Sequence, residues 1–445
     1  MSTPPVEEPP RHANAPAARR RSAARIPGLP RIPGLLRDRA FRRYWSGQGI
    51  SLLGDQLSSI AIPLIGVLAV HADAAQMGYL TAASWLPNLF FALHAGGWAD
   101  RRAHRRRVMI AADLGRAALI ATVPCAYALH ALTLVHLYVV AFAAGTLAVF
   151  FDVCDAPLFN ALVPPDRYVE GNSLTNGNRA MSQVVGPSVG GVLVQLLSAP
   201  LALLGDALSF VASALFLSRI APAEPPPARG APGRLAQGRR FIARSPVVRA
   251  SLGATATVNL FTFMVNALFV LYATTTLGLS PGLLGTVLGA GAVGGLLGAA
   301  CAGPLAGRIG IGRTFILGCI AYPAPMLLIP AAHGPAPMVV GLLLAAEFGS
   351  GVGVMWLDVA VGSILAGGVP DDLRSRVFGA YRTVNYGTRP LGSLAGGALA
   401  GSIGLRPTLW IAVAGALTSF LWLLASPVRG LRDVPVTSGT DTPGR

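Results

Sequence analysis

Lysine is missing from this chain: all 35 basic residues among its 445 are arginine, against 19 acidic residues. A Walker A loop needs its lysine on the nucleotide phosphates, so ATP hydrolysis by that route is excluded. Charge of either sign is scarce, at 12% of residues, about half the share found in soluble domains. Segment 117–151 carries none. The four cysteines, Cys125, Cys154, Cys301 and Cys319, fall in separate apolar stretches at no metal-ligand spacing. That removes a disulfide scaffold and a thiolate metal site, leaving them as core or lipid-facing residues.

What the chain has instead is apolar sequence, 53% of it hydrophobic. Runs of about 20 apolar residues can cross the ~30 Å hydrocarbon layer as helices. Twelve such spans are expected: 44–70, 76–99, 108–129, 134–158, 173–197 and 200–219, then 250–276, 281–306, 312–331, 336–364, 378–402 and 407–427. The fold class is therefore all-α integral membrane, with two six-helix bundles at 44–220 and 250–427. Residues 1–43 read as a disordered basic tail, 221–249 as a cytosolic linker and 428–445 as a second tail. The first span has no small-residue cleavage pattern and is read as a retained helix, not a signal peptide.

The formal charge of +16 does not point to nucleic acid, because of where the arginines lie. Ten fall in the N-terminal tail, five in 101–107 and seven in 219–249, while loops 71–75, 130–133, 277–280 and 332–335 have none. This asymmetry places both termini in the cytosol of a cell (inner or plasma) membrane protein, with the basic patches beside anionic lipid.

The chain also repeats itself. Asp152-Val153 returns 206 residues on as Asp358-Val359, and Val163-Pro164 as Val369-Pro370. Gly186, Gly190 and Gly191 return as Gly392, Gly396 and Gly397; shifted by 207, Gly96, Arg101 and Arg106 return as Gly303, Arg308 and Arg313. Two related halves around a shared pathway are the pattern of a secondary transporter. Enzyme-like patterns dissolve in this context. Gly186-Pro-Ser-Val-Gly190 lies in an apolar span with no paired histidine, not on a strand-turn-helix elbow. Gly289, Gly291 and Gly294 lie within a span, where small residues let helices pack closely. No enzymatic activity is expected.

Gly96-Gly-Trp-Ala-Asp100-Arg-Arg-Ala-His-Arg105-Arg-Arg resembles the G-x-L-A-D-R-x-x-R-R loop of the major facilitator superfamily, with Trp98 at the leucine position. The resemblance implies that Gly96, Asp100, Arg101, Arg105 and Arg106 latch the cytosolic side in one transport state. The second copy has Gly307 in place of Asp100. Gly186-Pro187-x-x-Gly190-Gly191 is similar to the G-P-x-x-G-G motif of the antiporter branches, implying an exporter hinge at a proline-bent helix. Phe41-Arg-Arg-Tyr-Trp-Ser-Gly-Gln48, Ser51-Leu-Leu-Gly-Asp55-Gln, Leu86-Pro87 and Asp206-Ala-Leu-Ser-Phe210 resemble the drug:proton antiporter branch that includes macrolide-efflux proteins and the enterobactin exporter. The likeness covers about 41–427. One departure stands out: the fourth span lacks the arginine that other drug-exporting branches carry there, so no relay through it is carried over.

Carboxylates inside spans are costly and face the bundle interior or a wet cavity. Glu347, nearest mid-membrane, is the first candidate for proton coupling, followed by Asp55. Asp152 and Asp155, spaced i, i+3 on one helical face, and Asp358 either couple protons or bond helix ends. Asp113 has Arg116 at i+3 and reads as a structural ion pair. Asp206 reads as a helix-start residue near the far surface. Arg179, Arg382 and Arg389 fall in the first turns of the fifth and eleventh spans. They either neutralise Asp152, Asp155 or Asp358 or bind an anionic substrate group. His94 is a packing histidine or a proton carrier.

The resulting expectation is proton-coupled export of an amphipathic small molecule (a drug, macrolide-like product or siderophore) by a monomer in the lipid bilayer. The proton gradient stands in for any cofactor. An uptake or facilitative carrier on the same fold is the alternative, and a non-transporting membrane sensor or scaffold the second.

Overall fold

The computed structural model describes residues 34–100, 104–221 and 235–432. Among them the secondary structure is helical throughout, and all twelve expected spans are present. The N-terminal half contains α1 (Arg39–Leu68), α2 (Ala74–Asp100), α3 (Arg105–Ala128), α4 (Leu134–Leu162), α5 (Tyr168–Leu197) and α6 (Ala199–Ser218). A short amphipathic helix, α7 (Leu235–Arg244), precedes the C-terminal half. There α8 (Pro246–Leu271) runs on through a π turn, Tyr272–Thr276, and α9 (Pro281–Ile309) follows. The next span is broken into α10 (Ile311–Ala321), a 3-10 turn and α11 (Leu328–Ala331), since Pro323 and Pro325 remove backbone donors. Then come α12 (Ala336–Gly368), α13 (Asp371–Ile403), and α14 (Leu405–Leu417) with α15 (Leu421–Leu424) completing the last span.

Ten helices are long and apolar enough to cross a membrane by length and composition among the described residues. The remaining two, α2 and α13, are 27 and 33 residues long. At ~1.5 Å per residue both exceed the bilayer core, and Thr81, Ser84, Asn88, Arg382 and Tyr386 among their polar residues line the cavity described below. Large apolar side chains such as Val135, Leu196, Leu208 and Trp422 remain exposed, as expected where lipid is the solvent.

Local chemistry sets the helix starts. Asp38 caps α1, its Oδ1 accepting from the Ala40 and Phe41 amides at 2.8 and 2.9 Å. Thr133 and Ser280 cap α4 and α9 in the same way. The Arg106 guanidinium donates to the Ile220 and Ser218 carbonyls, and Arg43 donates to the Arg219 carbonyl at 2.5 Å. Both satisfy acceptors orphaned at the end of α6.

Several boundaries differ from the expectation. Gly34–Arg37 form a 3-10 turn whose Leu35 is buried, with its amide 2.9 Å from Glu170 Oε1. The ordered N-terminal half therefore begins ahead of residue 44. Leu431 and Arg432 accept hydrogen bonds from Gly312 and Ile311, so the second tail starts docked. Residues 1–33, 222–234 and 433–445 lie outside the described residues. The fifth and eleventh spans begin at Tyr168 and Asp371, because helix continues through polar turns that hydropathy places outside. Arg179, Arg382 and Arg389 are thus well inside the bundle, not in first turns.

The core is continuous at one end and divided at the other. One hydrophobic cluster joins both halves at the end where α2 and α9 begin, running from Leu57 and Met77 to Phe269, Leu284 and Leu343. At the arginine-rich end, the N-terminal half has its own cluster around Phe41, Met109 and Phe159, and the C-terminal half has two others. The halves are packed together at the far end and parted at the arginine-rich end.

Candidate functional site: a central cavity between the halves

Close backbone approach seals the far end. A Cβ at Gly191 of α5 would lie 2.6 Å from the Pro281 carbonyl oxygen and 2.9 Å from Gly285 Cα of α9. A Cβ at Gly78 of α2 would lie 2.6 Å from the Ser393 carbonyl oxygen and 3.0 Å from Gly397 Cα of α13. No side chain fits at these contacts. The two are one contact made twice: Gly191 recurs as Gly397 after 206 residues, and Gly78 as Gly285 after 207. The Gln195 side chain adds a bond across the halves, accepting from the Gly282 amide at 3.0 Å.

Below this seam an aromatic group spans both halves. Trp85 of α2 packs edge-on against Phe263 of α8 at 5.2 Å and tilts against Tyr386 of α13 at 6.0 Å. The Arg389 guanidinium sits 4.3 Å from the Trp85 ring, 4.4 Å from Tyr386 and 5.0 Å from Phe263. Its Nε donates to Asn259 Oδ1 at 3.1 Å. Cation–π contact takes the place of a direct ion pair for Arg389 among the described residues, while Asp358 lies within electrostatic reach of its guanidinium. Arg382 likewise lies over the Tyr386 ring, at 4.8 Å.

Toward the arginine-rich end the halves enclose a cavity of about 860 Å³. Asp55, Asp152, Gln183 and Trp85 line it from one half; Asn266, Tyr322, Glu347 and Arg382 line it from the other. A smaller cavity of about 150 Å³ adjoins it inside the N-terminal half, lined by Gln48, Arg116, Asp155 and Arg179. Asp55 and Asp152 line both.

The coupling candidates separate by environment. Glu347 is half-buried in α12, facing Gly291 of α9, and makes no hydrogen bond or ion pair among the described residues. Asp152 is exposed and lines both cavities, whereas its repeat partner Asp358 is exposed but lines neither. Asp155 is held: the Tyr44 hydroxyl donates to it at 2.7 Å, Gln48 Nε2 at 2.5 Å, and Arg179 lies 3.8 Å away. The expected pairing of Arg179 is therefore with Asp155.

Two other expectations are corrected. Arg116 pairs with Asp55 of α1, not with Asp113 on its own helix. Asp113 turns toward Ser213 of α6 and leaves both oxygens without a hydrogen bond. Asp206 is no helix-start residue, since α6 begins at Ala199. It is fully buried, accepting from the hydroxyls of Ser58 and Ser209.

In the G-P-x-x-G-G motif, Gly186 faces Gln56 and Gly190 faces Leu57 of α1, while Gly191 forms the seam with α9. Pro187 lies within the continuous α5 and contributes to the cavity wall. Of the loop residues, Gly96 and Asp100 lie in the last turns of α2, Arg105 is buried at the start of α3, and Arg101 falls outside the described residues. Sequence reasoning missed the Trp85–Phe263–Tyr386 group and the Gly78–Gly397 contact. The 207-residue register of Gly78 and Gly285 was the available signal for the second.

Comparison with known proteins agrees with this architecture. The sequence matches the profile of the Major Facilitator Superfamily over residues 44–387 and 251–442. The chain belongs to that superfamily. Its relatives include the multidrug efflux pump Tap of Mycolicibacterium fortuitum, 28% identical over 80% of this chain and 88% of that one. Another is the uncharacterized MFS-type transporter YfiS of Bacillus subtilis (strain 168), 26% identical over 85% and 90%. In fold it resembles the nucleoside transporter NupG (TM-score 0.70, 12% identity, 87% of this chain and 99% of that one). It also resembles a bacterial homologue of the iron transporter ferroportin in an inward-facing state (TM-score 0.69, 16% identity, 87% and 98%). The protein is thus a multi-pass membrane transporter and not an enzyme. Among the described residues no group of His, Cys, Asp and Glu could hold a metal ion.

Proposed function

We propose that the protein exports amphipathic small molecules across the plasma membrane, driven by protons, through alternating access between the two halves. The observation that carries this reading is the cavity of about 860 Å³ between the halves, with apolar and aromatic walls and carboxylates, sealed at one end by paired glycines. The arginine distribution supports a cytosolic placement of the parted end and both termini. Substrate enters from there, and export requires the glycine seam to part. One chain encloses the whole cavity, so a monomer suffices.

Protons enter the reading through the acids. Without a Walker A lysine, uphill movement draws on a gradient. In this reading Glu347, Asp55, Asp152, Asp155 and Asp358 take up and release protons as access changes, a role supported for Glu347, Asp55 and Asp152 by their position on the cavity wall. A bound proton or substrate shifts the two-state equilibrium only by its differential affinity for the two states. The Tap relatives, named as multidrug efflux pumps, support export; NupG, named as a nucleoside transporter, keeps an uptake carrier as the rival direction.

Ethidium accumulation in intact cells tests both. Expressing cells are expected to hold less ethidium than controls, and the difference should vanish with a protonophore or with Glu347→Gln. Higher accumulation in expressing cells would contradict export and favour uptake.

A further inference from the structure

Three carboxylates converge on one guanidinium inside the N-terminal half. Asp55 comes from α1, Asp113 and Arg116 from α3, and Asp206 from α6. Arg116 is 8% exposed, and Asp113 and Asp206 are 0% exposed. The guanidinium bonds Asp55, stacks 3.9 Å from the Phe210 ring centroid, and lies within electrostatic reach of Asp206 and Asp113. Asp206 is served by two serine hydroxyls. Asp113 has only Ser213 beside it: both its oxygens, the neighbouring Ser213 Oγ and Arg116 Nε are buried without a well-formed hydrogen bond.

Charge counting decides what such a cluster holds. Three ionised carboxylates against one cation would leave two uncompensated negative charges at mid-membrane depth. An unpaired buried ion costs several kcal/mol, whereas a neutral carboxyl costs far less. The carboxylates are not gathered closely enough to hold a metal ion, so the missing positive charge is the proton. Asp55, whose side chain is 37% exposed, lines both cavities and is the member that water reaches. The other charged groups facing this region are Asp152, Asp155 and Arg179, of which the last two pair with each other.

We propose that Asp55, Asp113 and Asp206 form a proton-holding site around Arg116, with the guanidinium as their shared counter-ion. One carboxylate is ionised against Arg116, and two carboxyls are neutral. Asp55 exchanges protons with the cavity, so filling or closing the cavity changes the proton count of the site. Only that last step rests on the proton-coupled export reading.

Charge conservation gives this site a signature in the carboxylic-acid C=O band of infrared spectra, recorded on the full-length protein in liposomes at neutral pH. Asp113→Asn and Asp206→Asn should each remove one neutral carboxyl from the band. Asp55→Asn should also remove one, although Asp55 is the ionised member, because Arg116 then draws a charge from Asp206 or Asp113. Arg116→Gln should add one. Thermal unfolding and gel filtration confirm that each variant is folded; where Asp113→Asn is not, Asp113→Glu should keep the band's intensity while shifting its frequency. Band intensity unchanged in folded Asp113→Asn and Asp206→Asn would overturn the proposal, as would loss of signal in Arg116→Gln. A wild type that exports nothing yet shows the full signature would sink the export reading alone.

Discussion

In the N-terminal half, α1, α3 and α6 close around Asp55, Asp113, Arg116 and Asp206. In the C-terminal half Thr262 of α8, Cys319 of α10, Tyr322 at the end of that helix and Ala412 of α14 stand at the matching positions, 206 or 207 residues on. Where one half has an ion pair between Asp55 and Arg116, the other sets Thr262 beside Tyr322. The seam behaves in the opposite way. Gly78–Gly397 and Gly191–Gly285 are the same contact related by the internal two-fold, and both copies keep it. The seam glycines are alike in the two halves, while among the described residues the fully buried charges lie in one of them. Glu347 continues the asymmetry from the other side, since Ala141 stands at its N-terminal counterpart.

That comparison can be broken at several points. The largest effect is expected at the ion pair. Arg116→Ala removes the counter-ion of Asp55 and the guanidinium stacked on Phe210, and should destabilise the protein by ~3 kcal/mol, the scale for breaking a buried pair. Tyr322→Phe, at the matching position, should cost only ~1 kcal/mol, one hydrogen bond. Thermal unfolding in detergent reads both, and equal costs would erase the distinction between the halves.

The seam comes next. Gly191→Ala places a methyl 2.6 Å from the Pro281 carbonyl oxygen, and overpacking of this kind opposes the sealed state by ~1–3 kcal/mol. Gly397→Ala should do the same through Ala74 and Gly78. Gly303→Ala, with nothing within 4 Å, should not. Labelling of a far-end cysteine by an impermeant thiol reagent measures the parted fraction, and a difference between the two seam variants would deny their equivalence.

The smallest effect concerns the turn between the last two helices of each half. Ser198 sits at φ 78° and ψ 155°, where its counterpart Gly404 has φ 91° and ψ 163°. Such backbone is nearly reserved for glycine, at a cost of ~1–3 kcal/mol for other residues. Ser198→Gly should therefore stabilise the protein by about 1 kcal/mol, seen as a higher unfolding temperature, whereas Gly404→Ser should lower it.

Apolar length, arginine placement and the repeat were enough to read twelve spans and two halves, because each is a property of one continuous segment. The site was legible only where the repeat or a single helix encoded it. Asp113 and Arg116 are neighbours at i, i+3, yet Arg116 takes a partner from α1. Spacing within a helix says which side chains share a face, not which helix packs against that face. Arg389 was expected near a helix end because polar turns at 371–377 read as loop, and its aromatic surroundings come from three helices in two halves. Gly78 was within reach, since it falls in the same register as Gly285, but a lone glycine in an apolar run carries no weight until its partner is known.

The seam also offers the most direct test of alternating access. Gln195 and Gly282 meet across the halves at the sealed end. In a background with Cys125→Ser and Cys301→Ser, a reducible cross-link between Gln195→Cys and Gly282→Cys should hold that end shut. Ethidium efflux from cells should then stop on oxidation and return on reduction, while ethidium binding to the purified protein persists. Undiminished efflux with the cross-link fully formed would contradict the account.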